Sequence, residues 1–499
     1  MNPSFTTKLV LASLATTFSA TAFAGTSQRT FVVTDAVGTR LVTEYADSSG
    51  IPTGPRNTGV VWAFPDPVAI PQNVALSSNS AWVAQDLNNE RLQRFAITGD
   101  GTPLLDQSIM PNNGSTVAAG RGADLAVLLN ATPSGFLLTA YNSAGPVPLW
   151  SYPFSTTYNS ASYYGIKVSR DGGRVCAMVM SVQQDDPNLP PTYFSDLHIF
   201  DGGGNLLRHW TIDTYADAID LNDDGSLCLV TQGSSGRLID TNTASEIFSA
   251  PGSGGGSRHK ISGNGNVLVL GGFGLDVYKK IGGVYTPVIN FYAPNSWFGW
   301  GAAVSRDGKT VACMSHDYGS NYANTSTRSW DVDSATLLGT FNTFAETAGL
   351  QDAINGANVS DDGAVIVVSS WGANDNNHPE VMFFDRTIHS LGGLDTTGSP
   401  FSQDATGDGV YALIGNKAVH ANTFGNGGTT TVYKVIEPIC IQGDLNCDCI
   451  VDLLDLSHLL SHYGTSSGAT REDGDLDGDG AVNLTDLAAL LSAYGNHCP

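Results

Sequence analysis

The stretch IKVSRDGGRVCAMVMS, Ile166 to Ser181, holds a short apolar run, a Ser-Arg-Asp-Gly turn and a longer apolar run. Asp-Gly supplies a chain reversal, because glycine takes positive φ without steric cost and aspartate hydrogen-bonds its own backbone two residues on. The flanking runs then read as the two strands of a hairpin. The phrase returns as AIDLNDDGSLCLVTQ from 218, HKISGNGNVLVLGG from 259 and AAVSRDGKTVACMS from 302. It returns again as ANVSDDGAVIVVSS from 357 and DATGDGVYALIG from 404. Weaker copies are VALSSNSAWVAQD from 74 and AAGRGADLAVLLN from 118.

The copies are spaced by about 41 to 55 residues, the period of propeller blades. Second hairpins follow several of them, as in LHIFDGGGNLLRHWTI (197–212) and RSWDVDSATLLGTF (328–341). Two hairpins make a four-stranded blade, and 57 glycines with almost no helical periodicity agree. The expectation is an all-β body over residues 25–436, a seven- or eight-bladed β-propeller. Eight units can be counted. Seven blades result if the first unit and residues 28–65 only complete the ring. The units resemble WD40-like and quinoprotein-like β-propellers, the former especially in their S-x-D-G turns. That resemblance implies architecture and no chemistry. Sialidase turns put a residue between Asp and Gly and carry a Trp, which these copies lack. No haem, nucleophile-elbow or zinc-protease motif is present.

Acids outnumber bases 47 to 23, a formal charge of −24, which argues against nucleic acid as a partner. At the N-terminus Lys8, the apolar LVLASLATTFSA and the small residues Ala22 to Ala24 form a signal-peptide pattern over residues 1–24. No membrane span is expected after it. The mature chain is expected to be secreted or held in the cell envelope.

In blade order a-b-c-d the Asp-Gly turns join a to b, so b–c and d–a loops share the opposite face. Long b–c insertions fall at 182–194, 316–327 and 371–380, and YAPNSWFGW (292–300) is a d–a loop. They bring Trp297, Trp300, His316, Asp317, Tyr318, Tyr322, Trp371, Asp375 and His378 to one side. Aromatic rings beside amides and carboxylates suit a sugar-binding face; the plainer reading is ordinary loop packing. A catalytic pair such as Asp317 with Asp375 is a third reading, with no catalytic residue assigned.

The tail writes one phrase twice. GDLNCDCIVDLLDLSHLLSHYG (443–464) matches GDLDGDGAVNLTDLAALLSAYG (474–495) at 13 of 22 positions. Each begins with the spacing of an EF-hand-type calcium loop, where carboxylates at positions one, three and five converge on a cation. The second copy offers Asp475, Asp477, Asp479, the Ala481 carbonyl, Asn483 and Asp486. The first offers Asp444, Asn446, Asp448, the Ile450 carbonyl, Asp452 and Asp455, and departs from the pattern at Cys449, where the loop wants glycine. Two calcium ions are expected, the second site fitting the pattern more closely. After each loop an apolar stripe runs at helical spacing: Leu456, Leu459, Leu460 and Tyr463, then Leu487, Leu490, Leu491 and Tyr494. Cys440 and Cys498 flank the repeats and Cys447 and Cys449 lie in the first loop, too close to pair with each other; each is expected to pair with one of the flanking two, in an order left open, while Cys176, Cys228 and Cys313 read as buried thiols.

The tail, residues 437–499, resembles a type I dockerin: duplicated loops closed by Asp, each followed by one helix. The resemblance implies a small all-α calcium-binding domain that docks to a cohesin-like or other extracellular protein. The loop positions that often carry Ser-Thr in dockerins are Leu453-Leu454 and Leu484-Thr485 here, a departure from the usual recognition residues. The expected function is a non-catalytic binding and assembly protein. The alternative is an enzyme of polysaccharide catabolism, a hydrolase or lyase.

Overall fold

The computed structural model describes residues 28–35, 38–45, 59–87, 90–109, 115–132, 135–155, 160–183, 192–212, 214, 216, 218–252, 258–344, 354–372, 378–420, 425–435, 442–445 and 451–496. The expected signal peptide, Asp375, Asn446, Asp448, Ile450 and the four tail cysteines lie outside these residues. Among the described residues no helix is long and apolar enough to cross a membrane. An antiparallel hairpin, Gln28–Asp35 with Gly38–Tyr45, belongs to a unit of its own.

The remaining strands form eight antiparallel sheets, the blades of a β-propeller. Blades 1 to 7 run in chain order: 70–108, 115–155, 160–212, 218–250, 260–292, 296–344 and 354–394. Their first strands touch one another in sequence around a closed ring. Blade 8 takes three strands from 400–434 and its outer strand from Gly59–Asp66, with Trp62 opposite Val432. Thus each of the eight sequence units is a blade, and of the described residues before them only 59–66 complete the ring.

Alternation along each strand drives the packing, because successive side chains point to opposite faces. In blade 3, Val175, Ala177 and Val179 pack on blade 2, while Cys176 and Met178 pack on blade 4. One such apolar cluster lies at each of the eight blade interfaces, the last joining Trp62, Leu413 and Val432 of blade 8 to Val74 and Phe95 of blade 1. Each fully buried Val or Leu contributes about 1.5–3 kcal/mol. Cys176, Cys228 and Cys313 are buried free thiols in these seams; burial pushes the Cys313 thiol up to about 12.

The repeated turns share one hydrogen-bond pattern. In blade 3, Ser169 Oγ donates to Asp171 Oδ1 (2.6 Å) and accepts from Arg174 N (2.9 Å), while Gly173 N donates to Asp171 (2.8 Å). The same three bonds recur at Ser305–Asp307 and Ser360–Asp362. The turns also bond one another around the ring: Arg170 N donates to Asp223 O, Asp223 N to Gly263 O, Asn264 N to Arg306 O, and Arg306 N to Asp361 O. The turn glycines hold φ between +65° and +79°. A Cβ on Gly363 would run into Thr310 of the preceding blade, so space as well as φ requires glycine there.

In the tail, helices α1 (Leu453–His462) and α2 (Leu484–Ala493) follow the two loops. The copies pack as a pseudo-twofold pair. Gly464 N donates to Val482 O and Val482 N to Thr465 O, both at 2.8 Å; at the equivalent positions Gly495 N donates to Val451 O (2.9 Å) and Val451 N to Asn496 O (3.0 Å). Leu445, Val451 and Leu459 share one core with Val482, Leu490 and Ala493. The expected stripes are only half buried, however. Leu460, Leu491, Tyr463 and Tyr494 stay exposed, because two ten-residue helices can cover only one narrow strip of each other.

Candidate functional site

Inner-strand residues two apart share a face, so each repeat sends its residue two before the turn Ser into the channel on the propeller axis. The residue between that Ser and the Asp also lines it. Together they surround a cavity of about 740 Å³. The first position gives Lys167, Asp220, Lys260, Asn358 and Asp404; the second gives Arg121, Arg170, Asp223, Arg306 and Asp361.

At the turn end these charges interlock. Arg170 pairs with Asp361 at 2.6 Å, joining blades 3 and 7 on opposite sides of the ring, so the pair crosses the axis. Arg306 pairs with Asp223, and Arg121 with Asp404 at 2.6 Å. Higher up, Lys167 reaches Asp220 (3.4 Å), whose other oxygen accepts from Ile261 N (3.1 Å). The ammonium of half-buried Lys260 has no hydrogen-bond or ion-pair partner among the described residues. Its ammonium is pulled down to about 8 by enclosure and then by Lys167, against Asp220, with Arg258 and Arg121 adding to the fall.

At the other end the described residues include four of the expected aromatic set in one row. Trp297 lies 5.1 Å from Trp300 and 5.1 Å from His316 between ring centroids, and His316 lies 4.9 Å from Tyr322. The row exists because blade 6 grows an extra strand, Ser296–Trp297, which pairs with His316 and Asp317 at the extended end of Thr310–Asp317. Asn321 and Tyr322 both sit at positive φ, +58° and +65°, a strained pair of the kind found at functional sites. Trp300 and Trp371 line the cavity. Arg258 lies over Trp300 (5.8 Å) and Lys417 over Trp371 (5.3 Å).

Tyr318 instead contacts Phe273 (6.0 Å). Asp317 caps a single 3-10 turn, accepting from Gly319 N at 2.8 Å. His378 is buried, its Nδ1 3.2 Å from Pro379 O. Beside it, buried Glu380 accepts from Thr396 N (2.8 Å) and meets His420 Nε2 (3.0 Å), and burial raises its carboxyl. The channel charges had a signal in the sequence: the variable residues around each constant turn. A face search confined to long loops passes over them.

The second tail loop gathers oxygen ligands. One oxygen from each of Asp475, Asp477 and Asp479 lies within 4.8 Å of the others. Asp475 accepts from Gly478 N (2.7 Å) and Gly480 N (2.8 Å), winding the loop around itself. Buried Asp486 accepts from Leu476 N and Asn483 N, both at 2.8 Å; Asp455 makes the matching bonds to Leu445 N (2.7 Å) and Asp452 N (2.8 Å). Enclosure, with the charges of Asp479, Asp486 and Asp475, holds the Asp477 carboxyl above its ordinary value. Asn483 Oδ1 caps α2 through Thr485 N (2.8 Å). Asp444 is buried at the head of the first loop, and Asp452 is half-buried.

Among solved structures, the C-terminal WD40 domain of Sif2 matches with a TM-score of 0.50 at 12% identity, covering 75% of this chain and 98% of that one. That likeness is one of fold: a WD40-like, eight-bladed β-propeller. No protein-family model and no curated protein matches the chain.

Proposed function

We propose that this chain is an exported, non-catalytic binding and assembly protein, a β-propeller with a ligand face and a calcium-stabilised, dockerin-like tail that docks to another extracellular protein. The observation that carries the reading is the paired apolar surface of the tail. Leu453 and Leu484 are 68% and 69% exposed, Leu460 and Leu491 52% and 53%, Tyr463 and Tyr494 46% and 45%. Both repeats thus leave the same three large residues in water, and exposed apolar groups in a repeated arrangement suit a protein partner. Leu453 and Leu484 stand where dockerins often carry Ser, so a partner with an apolar recognition face fits better than the usual cohesin.

Calcium fits the second loop because its donors are all hard oxygens: Asp475, Asp477, Asp479 and, at the loop's end, Asp486. The ion would neutralise carboxylates that otherwise repel. The first loop offers Asp444 and Asp455 in matching places, so a second ion is part of the proposal. A binding role for the propeller is supported by the aromatic row of Trp297, Trp300, His316 and Tyr322 at one end of the channel.

The test immobilises the full chain and passes over it the exported proteins of the producing organism, with calcium and with chelator. A partner retained only with calcium, and lost with Leu453→Ser/Leu484→Ser, is the expected result. If calcium raises the thermal midpoint but nothing is retained, the docking role fails. If calcium changes neither, the tail reading fails as well.

A further inference from the structure

The protein carries a formal charge of −24, yet its axial cavity is lined by six cations, Arg121, Lys167, Arg170, Arg258, Lys260 and Arg306, against four acids. Four of the cations, Arg121, Lys167, Arg170 and Arg306, each hold one of the four carboxylates. Lys260 is left as a surplus charge halfway down the wall, with Arg258 two residues nearer the rim on the same strand face. The turn end is barred by the Arg170–Asp361 pair, so the cavity has the form of a cup. Arg258 lies over the ring of Trp300, and Trp371 also lines the wall.

We propose that this cup binds a sugar-sized ring bearing a carboxylate or phosphate, the oxyanion seated on Lys260 and the ring held against Trp300. The proposal rests on the ligand-face reading and specifies its ligand class. A cavity of about 740 Å³ lies in the range of small-molecule sites, roughly 300–1,000 Å³. Its low-dielectric walls concentrate the positive field, and a charge-assisted hydrogen bond there is about twice as strong as a neutral one. An anion would also offset the enclosure, and after it the crowding by Lys167, Arg258 and Arg121, that depress the Lys260 ammonium. Neutral sugars could use the aromatic ring but would offer the ammonium only a hydroxyl oxygen, a weaker acceptor than an oxyanion, so the charge sets the preference.

The experiment titrates the full chain with glucuronate, galacturonate, glucose 6-phosphate, glucose, acetate and inorganic phosphate, following tryptophan fluorescence and heat. The expected result is binding of at least one ring-bearing anion at least tenfold tighter than glucose and tighter than the bare anions. Comparison of the uronates with glucose 6-phosphate tells carboxylate from phosphate. Lys260→Met should lose that preference at least tenfold, Lys260→Arg should keep most of it, and Trp300→Ala should weaken every ring-bearing ligand at least fivefold. Equal affinity for glucose, or a preference unchanged in Lys260→Met, overturns the proposal. So does binding of bare anions alone. Should Lys260→Met fail to fold, loss of the preference in Lys260→Gln and its retention in Lys260→Arg decide the matter. Titration with neutral oligosaccharides separates the two readings: if they bind while anions do not, the propeller keeps a ligand face and only the cup assignment falls.

Discussion

Ser360 shows how much one hydroxyl can hold in this protein. It donates to Asp362 and accepts from Val365 N, so Ser360→Ala strands a backbone amide at the seam of two blades. Urea unfolding should show a loss of about 1–3 kcal/mol. Gly363→Ala forces a positive φ on alanine and drives a methyl into Thr310, for an expected loss of about 2–3 kcal/mol by the same assay. A different residue contributes to the acid limit. His259 is buried, and burial pulls its imidazole down to about 4, against backbone hydrogen bonds to Ser235 and Ser234. Above pH 6.5 both folded and unfolded chains hold it neutral. As pH falls from 6.5 to 4 the unfolded chain takes up the proton and the folded chain resists, so stability falls by about 3 kcal/mol across that window. Urea midpoints at pH 7 and pH 4.5 measure the slope, and His259→Asn should flatten it. The Asp-Gly pairs at 171–172, 224–225, 307–308, 362–363 and 408–409 were legible in the sequence because their conformational demand is local. Lys260 was not, since its meaning depends on which neighbours the ring closure brings across the axis.

At the scale of elements, the two tail helices divide their leucines between two tasks. Leu490 faces the shared core with no exposure, while Leu491 beside it is half exposed. With calcium present, Leu490→Ala should cost the tail about 2–5 kcal/mol, and Leu491→Ser should stay within about 0.5 kcal/mol. Circular dichroism melts of the two variants test this, the tail holding the only α-helices among the described residues. Comparable losses would mean that Leu491 is buried in solution. The loop repeat itself was legible, since 13 of 22 matching positions preserve both acids and stripe. The stripe's half-burial was not, because helical spacing marks which residues share a side and says nothing of how wide the covering partner is. The extra strand at Ser296–Trp297 escaped for a similar reason: Pro294 and Asn295 before it read as loop, and only pairing with His316 makes it a strand.

At the scale of the whole molecule, the period of the repeat left seven or eight blades open, because a count of hairpins does not say which partial units complete one another. The closing strand Gly59–Asp66 resolves it. Its Trp62 is buried, stacks on Phe95 at 4.8 Å and donates to Ala96 O and Ile97 O, both at 3.0 Å. Trp62→Ala should therefore cost about 3–5 kcal/mol and act on the seam between blades 8 and 1. Hydrogen exchange should find new exposure at Val74–Leu76 and Leu413 before it reaches blades 3 to 5. Uniform exposure would mean that the ring unfolds as one unit. The same strand also constrains how the protein can be made. Trp62 leaves the ribosome early and waits for Val432 until nearly the whole propeller has been synthesised, so every chain passes through a long interval as an open spiral with two sticky edges. A host that kept the chain extended until synthesis ended would shorten that exposure, and the last blade's arrival would act as a clasp that converts a vulnerable arc into a circle with no free end from which to peel.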